Sequence, residues 1–146
     1  MADTLPDFDL EQYLPYRMTV IAAQLSADLA AQYKSRFGIS MPEWRVLLNV
    51  GYSTTPSVRD IEKRVSLEKS KVSRAASRLE AKGYLVKTVD ARDKRLLKLS
   101  LTAAGVHLLH QLIPIAQAFQ TDLDTRLGES CGALHKALDR LSERTP

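Results

Sequence analysis

The stretch from Ser57 to Leu101 constrains the fold more than any other part of the chain. Its pattern predicts two short helices followed by two β-forming runs, which are joined by a charged loop, Asp90 to Arg95. Residues 57–98 contain 13 Lys/Arg against 6 Asp/Glu, a net charge of +7, whereas the whole 146-residue chain carries only +4. The positive charge is therefore local. A basic helix–turn–helix followed by a hairpin is typical of proteins that bind duplex DNA.

The second of these helices is predicted over about Lys69 to Ala81, after a first helix that Ser57 caps and that ends near Val65. Apolar residues recur at helical spacing on its expected inner face, at Val72, Ala75, Ala76 and Leu79. Its outer residues combine hydroxyls with basic side chains: short side chains let a helix approach a groove closely, and arginine can pair with guanine or grip phosphate. The candidate DNA-contacting residues are Ser70, Lys71, Ser73, Arg74, Ser77 and Arg78. The alternative is an ordinary solvated helix face.

The two β-forming runs, Tyr84 to Val89 and Leu96 to Leu101, are expected to form an antiparallel hairpin. Because the connecting residues include no Gly or Pro, we predict a longer loop rather than a tight two-residue turn. An arginine on such a protruding loop suits the narrow, electronegative minor groove of DNA. We expect Asp90 and Asp93 to pair with loop arginines and so stiffen the tip. The basic side chains of the loop are Arg92, Lys94 and Arg95.

Amphipathic helices are predicted on both sides of the basic stretch. The first runs from about Leu10 to Phe37, ends at Gly38, and carries the stripe Leu14, Met18, Ile21, Leu25, Leu29 and Tyr33. Since one small domain cannot easily bury so long a stripe, we expect it to pack against a second copy of the chain. The alternative is a long helix that lies across its own domain.

Two further helices are predicted after the hairpin. Thr102 is expected to cap one over about Ala103 to Leu127, which Pro114 should bend. Its predicted apolar stripe is Val106, Leu109, Ile113, Ala116, Phe119 and Leu123. A last helix is predicted from about Glu129 to Glu143. The organisation is therefore an N-terminal arm and dimerisation helix (1–37), a DNA-binding lobe (38–102) and C-terminal dimerisation helices (103–146), within one mainly α-helical domain.

The segment that leads into this lobe begins with a helix-capping pattern. In Ser40-Met-Pro-Glu43 the serine can accept from an amide three residues on, while the glutamate reaches back. A helix is predicted from about Met41 to Gly51. Trp44 on this helix is expected in the core, and the alternative is the wall of a ligand pocket.

Several classes of protein are disfavoured by what the chain contains. No run of 18 apolar residues is present, and the acidic N-terminus does not resemble a signal peptide, so we expect a cytoplasmic protein without a membrane partner. Cys131, the single cysteine, is expected to be a buried structural thiol rather than an oxidant sensor. We find no metal-ligand cluster, phosphate-cradling glycine loop or nucleophile–base pair, and we expect neither a cofactor nor enzymatic activity. The main alternative to DNA binding is a winged-helix module that binds protein.

Three pieces, in this order and spacing, resemble the MarR family of winged-helix transcription regulators over about residues 13–141. They are RFGISMPEWRVLLNV (36–50), VSLEKSKVSRAASRLEAKGYL (65–85) and DARDKRLLKLSLTAAG (90–105). The resemblance implies a winged helix–turn–helix with a two-stranded wing, and a homodimer that binds a palindromic operator, most often as a repressor. It also implies that Arg92 enters the minor groove and that Asp90 pairs with wing arginines. Glu68 departs from the pattern, because family members often have Ser, Thr or Asp there as a helix cap.

The resemblance further implies a small amphiphilic effector that binds between the helical dimer unit and the DNA-binding lobe. The residues that could line such a pocket are Tyr13, Tyr16, Arg17, Met18, Trp44 and His107. Arg17 is the only Lys or Arg in the first 33 residues, and it could clamp the carboxylate of an aromatic acid or contact its thioester. The alternative role for Arg17 is a surface or interface salt bridge.

Overall fold

The structure is a computed structural model that describes residues 3–52, 61 and 69–143. The helix predicted from Ser57 to Val65 and the departure at Glu68 lie outside these residues, although Ile61 is described and fully buried. After a 3-10 turn at Leu10–Gln12, the elements are α1 (Leu14–Phe37), α2 (Met41–Tyr52), α3 (Lys69–Ala81), β1 (Leu85–Val89), β2 (Leu97–Leu101), α4 (Ala103–Leu127) and α5 (Ser130–Ser142). The predicted fold class, mainly helical with a two-stranded hairpin, is confirmed.

Helix α1 begins at Leu14 rather than near Leu10 as predicted. Tyr13 is extended, with φ −75° and ψ 112°, and Pro15 occupies the first turn. Had the helix started at Leu10, Pro15 would lie inside it, where it lacks an amide donor and its ring clashes with the preceding turn. At the other end Gly38 takes the left-handed conformation (φ 67°), and its amide donates to the carbonyls of Lys34 and Tyr33.

The predicted capping box opens α2. The Glu43 amide donates to Ser40 Oγ at 3.3 Å, and the Ser40 amide donates to Glu43 Oε1 at 3.3 Å. The Glu43 residue is only 3% exposed, and its second carboxylate oxygen accepts from Lys82 Nζ at 2.8 Å. The same ammonium group donates to the Gly38 carbonyl at 3.2 Å. This network therefore joins the end of α3 to the corner between α1 and α2.

The core of the lobe lies between α2, α3 and the hairpin. Its fully buried side chains include Val46, Leu47, Val72, Leu79, Leu85 and Leu99. The strands pair antiparallel in a register that places Leu85 opposite Leu101 and Val89 opposite Leu97. Burial declines along the hairpin toward the loop, where Val89 and Leu97 are exposed. The wing is thus anchored at its base and free at its tip.

Thr102 anchors the junction between β2 and α4. Its hydroxyl donates to the Gly83 carbonyl at 2.6 Å and accepts from the Gly105 amide at 3.1 Å, which confirms the predicted cap. Gly105 packs so closely on the Tyr84 carbonyl that a Cβ there would collide with it. Residues 101–105, Leu-Thr-Ala-Ala-Gly, therefore form the contact between α4 and the turn that follows α3.

Tyr33 joins α1 to α2 and α4. Its ring packs on Trp44 with centroids 4.6 Å apart, and its hydroxyl donates to the Leu112 carbonyl at 3.3 Å. Burial of the phenol raises its pKa to about 12. The predicted core role of Trp44 is confirmed, because only 5% of the residue is exposed.

The apolar stripe predicted for α4 is partly wrong. Leu109 is buried as expected, but Val106 is 45% exposed, and the other buried residues are Gly105, Leu108, Leu112 and Ile115. Both sets repeat every three to four residues, so α4 has two apolar faces. Periodicity identifies an apolar face but does not say which one meets the rest of the chain.

The ends of the chain leave apolar side chains exposed. In the N-terminal half of α1, Leu14 is 60% and Ile21 is 52% exposed, and α5 buries no residue. Leu134, Leu138 and Leu141 on α5 are 44%, 48% and 65% exposed. Within the described ranges, no helix is both long enough and apolar enough to cross a lipid bilayer.

Candidate nucleic-acid interface

Helix α3 separates its two faces as the sequence predicts. Val72, Ala75, Ala76 and Leu79 are at most 1% exposed, which fixes the rotation of the helix against the lobe. The six candidate DNA-contacting residues, Ser70, Lys71, Ser73, Arg74, Ser77 and Arg78, are all exposed. Burial of the apolar face therefore presents the hydroxyl and basic side chains together on one outer surface.

The two edges of this outer surface meet different elements. On one edge Lys71, Arg74 and Arg78 line a concave site of about 420 Å³ together with Met41 and Pro42 at the start of α2. Arg74 turns back along its own helix, and its Nε donates to the Ser70 carbonyl at 3.2 Å. Three basic side chains thus converge beside the amino end of α2.

On the other edge α3 contacts the wing through Lys87, a residue that the sequence interpretation missed. Lys87 Nζ donates to Ser77 Oγ at 2.7 Å, and the Lys87 amide donates to Glu80 Oε2 at 3.2 Å. In β1, Lys87 lies between Leu85 and Val89 on one face of the strand, because side chains two residues apart point to the same side. A lysine that interrupts an apolar alternation was the signal in the sequence that this side chain reaches the helix.

The wing loop is organised by Asp90, but not in the way predicted. Asp90 Oδ1 accepts from the amides of Arg92 at 2.7 Å and Asp93 at 3.2 Å, and Oδ2 lies 3.6 Å from Lys98 Nζ. The wing salt bridge of Asp90 is therefore with Lys98 rather than with an arginine. The two backbone hydrogen bonds, followed by the Lys98 charge, lower the pKa of Asp90 below its ordinary value.

Asp93 does make the predicted pairing with an arginine. Its Oδ1 accepts from Arg95 Nε at 3.2 Å and from the Arg95 amide at 3.0 Å. Arg92 and Lys94 are at the tip of the loop, where Lys94 is exposed and the Arg92 amide is held by Asp90. The loop is thus ordered by carboxylate bonds to its own backbone, and this turn carries the basic side chains.

The six residues predicted to line an effector pocket do not share one described cavity. Trp44 is enclosed in the core, whereas the other five residues are exposed. Tyr13 directly precedes α1, His107 lies on α4, and α1 itself carries Tyr16, Arg17 and Met18. A separate cavity of about 410 Å³ lies between the end of α2, β2 and α4. Its walls include Tyr52, Leu101, Val106, His110 and Pro114. Because Pro114 has no amide hydrogen, it cannot donate to the His110 carbonyl, which leaves an acceptor beside this cavity.

Cys131 is half-buried rather than buried as predicted. Its Sγ donates to Asp124 Oδ1 at 3.2 Å, and this hydrogen bond, with partial burial, raises the pKa of the thiol. A raised thiol pKa disfavours the reactive thiolate. The part of the chain that the structure describes holds no group of three or more His, Cys, Asp or Glu that could bind a metal ion.

Comparison with known proteins agrees with this architecture. Residues 37–96 match the model of the MarR family. The HTH-type transcriptional regulator SarZ of Staphylococcus saprophyticus is 24% identical over 124 residues, which cover 85% of this chain and 84% of that protein. The crystal structure of a MarR/EmrR family regulator from Acinetobacter sp. ADP1 superposes with a TM-score of 0.82 at 26% identity, and covers 92% of this chain and 95% of its own.

A third similar protein is one whose DNA binding is regulated by a small molecule. The structure of Bordetella bronchiseptica BpsR, described as regulated in its DNA binding by 6-hydroxynicotinic acid, has a TM-score of 0.80 at 18% identity. It covers 96% of this chain and 100% of the BpsR chain, and at this identity the likeness concerns the fold. The family match spans α2, α3 and β1 and ends before β2, and the structural match extends to the helices at both ends. Residues 37–96 thus match the model of the MarR family, and the chain as a whole has the winged-helix fold of the MarR-family regulator from Acinetobacter sp. ADP1.

Proposed function

We propose that this transcription regulator is a repressor that binds a palindromic operator as a homodimer. The outer face of α3 carries the proposal: its hydroxyl and basic residues are exposed together while the inner face is fully buried. A helix of this kind enters the major groove, and the Arg92 tip reaches the adjacent minor groove. We further propose that the protein works in the cytoplasm, in the compartment that holds the DNA.

The homodimer rests on the apolar side chains exposed at both ends of the chain. Leu14 and Ile21 on α1, and Leu138 and Leu141 on α5, are each between 48% and 65% exposed. Burial of such side chains contributes about 25 cal/mol per Å² of apolar area, so a second copy is the natural cover. In this division the terminal helices form the dimerisation unit, and two lobes are held about 34 Å apart to meet successive major grooves.

Selection from a random duplex library, followed by salt titration, tests the proposal. We expect a palindromic consensus, and an affinity that falls about 10³- to 10⁵-fold between roughly 50 and 200 mM salt if about 6–10 phosphates are contacted. Arg92→Ala should weaken binding to the selected duplex. Arg74→Ala should also change the preferred base, at a cost of about 1–3 kcal/mol. No binding to any duplex at low salt would instead favour the alternative, a winged helix that binds protein.

The second part of the proposal is release by a small aromatic or amphiphilic carboxylate. BpsR, which shares the fold, responds to an aromatic acid, and this chain has both Arg17 and the cavity beside α4 as candidate sites. A panel of aromatic acids and their thioesters should be titrated into the protein–DNA complex. The variants are Arg17→Ala and Val106→Trp, which places a larger side chain in the cavity wall, with Lys34→Ala as the control. If the acids or thioesters release the wild type and both variants from DNA equally well, neither Arg17 nor the cavity is the effector site.

A further inference from the structure

The edge of α3 that faces α2 differs chemically from the edge that faces the wing. At about 100° per residue, Lys71 and Arg78 fall on one flank of Arg74, and Ser73 and Ser77 fall on the other. The structure agrees with this division, because Arg78 lines the cleft beside α2 while Ser77 bonds to Lys87 of the wing. Charge is thus concentrated along a single edge of the helix.

The cleft beside this edge has a wall that does not belong to α3. Met41 and Pro42, the first two residues of α2, close the concave site of about 420 Å³ that Lys71, Arg74 and Arg78 line. The wall is fixed, because the capping box orders the start of α2 and the 2.8 Å bond between Lys82 and Glu43 ties this start to the end of α3.

The electrostatics of the cleft favour an anion. Glu43 is the acid in the first turn of α2, but it is only 3% exposed and its carboxylate is neutralised by Lys82. The basic side chains on the opposite wall therefore act without opposition from that charge. A guanidinium binds phosphate oxygens in bidentate fashion, and an ammonium group binds them as a point charge.

The dimensions of DNA identify the anion. The major groove is about 12 Å wide and a helix with its side chains is about 10–12 Å across, so a docked helix fills the groove. Residues at the centre of its outer face then meet base edges, and residues at its edges meet the phosphate backbones that border the groove. A cleft between one helix edge and the next element lies where such a backbone passes.

We infer that the cleft between α2 and α3 is a seat for one backbone phosphodiester, held by Lys71 and Arg78 against the amino end of α2. The inference rests on the proposed DNA binding and deepens it. It divides α3 into an edge that supplies affinity and register, and a remaining surface that reads sequence. Lys82 and Glu43 are positioning residues for this seat, because they hold its far wall in place.

Salt titration on a random duplex of about two helical turns tests the seat in the full-length protein. The double variant Lys71→Gln/Arg78→Gln should make log affinity fall less steeply with log salt, by about 0.9 in the slope, because the one phosphodiester loses both of its cations. The control Arg140→Gln, which removes one exposed charge from α5, should leave the slope unchanged. An unchanged slope in the double variant, with wild-type binding intact, overturns the seat but not the regulator. Failure of the wild type to bind duplex DNA overturns both.

Chemical interference on the selected duplex gives a second, independent measurement. Ethylation of one phosphate in each half-site should block binding of the wild type, and this interference should disappear in Arg78→Gln. Interference by guanine methylation should stay the same. If Arg78→Gln changes the preferred base and keeps the ethylation pattern, Arg78 reads a base and the seat is wrong.

Discussion

Helices α3 and α5 both have 13 residues and both are amphipathic, yet they end up in opposite environments. Four apolar residues of α3 are at most 1% exposed, whereas α5 buries none and leaves Leu141 65% exposed. The difference lies in the surroundings: α3 packs between α2 and the wing, and α5 follows α4 at the end of the chain. The DNA-binding lobe therefore buries its apolar face within one chain, while we propose that the terminal helices do so only with a second copy.

Among the variants that test this contrast, Leu138→Asp in α5 should have the largest effect. A buried leucine contributes about 1.5–3 kcal/mol, and a two-fold interface contains each position twice, so the dimer should weaken by roughly 100-fold or more. Sedimentation measured across protein concentrations reports the dissociation constant. Lys136→Asp places the same charge on the opposite face of α5 and serves as the control. If both variants sediment as the wild type does, α5 does not form the interface.

The corresponding change in α3, Leu79→Ala, should act on folding rather than on assembly. Leu79 is fully buried, so its truncation leaves a cavity and should lower the free energy of unfolding by about 2–5 kcal/mol. Urea unfolding at fixed protein concentration measures this loss. Below the unfolding transition the association state should match the wild type. A loss under about 1 kcal/mol would mean that the lobe tolerates a cavity and is less tightly closed than its burial indicates.

The Lys82–Glu43 pair distinguishes the corner of the lobe from its core. Lys82→Met leaves the Glu43 carboxylate buried without its cation and should cost about 2 kcal/mol. This is less than the roughly 3–5 kcal/mol of a fully buried pair, because the Lys82 side chain is 40% exposed. Glu43→Gln should cost less, since Lys82 can then turn to water. Thermal unfolding of both variants measures the difference. Equal losses of stability would contradict the view that the cost comes from a Glu43 carboxylate buried without its cation.

The smallest effect is expected at the wing tip, where Asp90 acts on local order. The folded state lowers the pKa of Asp90. The contribution of its carboxylate to the order of the loop is therefore fully present above the ordinary pKa of 3.8, and it is lost as the pH falls through the lower pKa of the folded state. The amide resonances of Arg92 and Asp93 should therefore shift only below pH 3.8. Asp90→Asn should abolish these shifts. Asp93→Asn, the control, should retain the Arg92 shift, and loss of that shift in this variant would contradict the role given to Asp90.

Patterns within a few consecutive residues predicted an element or a cap correctly where they allowed only one interpretation. The bounds of α3 were predicted correctly, because four apolar positions at helical spacing define one inner face and Gly83 stops the helix. The Ser40–Glu43 box and the Thr102 cap were also predicted, since both bonds join residues three apart in the sequence. Interactions that close within one turn need no knowledge of the tertiary structure.

The incorrect predictions share a different cause. Asp90 was expected to pair with an arginine, but the hairpin register brings Lys98 to it and the loop turns its own amides inward. On α4 the sequence holds two apolar faces, and only packing against Tyr33 and the lobe shows that the one carrying Leu112 is inside. The proposed pocket residues are spread over exposed positions and the core, because sequence proximity to an aromatic residue does not define a cavity.

The sequence by itself determined a basic, amphipathic α3, a wing with arginines at its tip, and helices with unsatisfied apolar faces at both ends. Those properties depend on spacing and charge along the chain. Only the tertiary structure decided that Lys87 reaches Ser77, that Lys82 neutralises Glu43, and that Lys71 and Arg78 share a cleft with the start of α2. Each of these contacts joins residues from different elements, so it depends on how the elements pack rather than on the order of residues within any one of them.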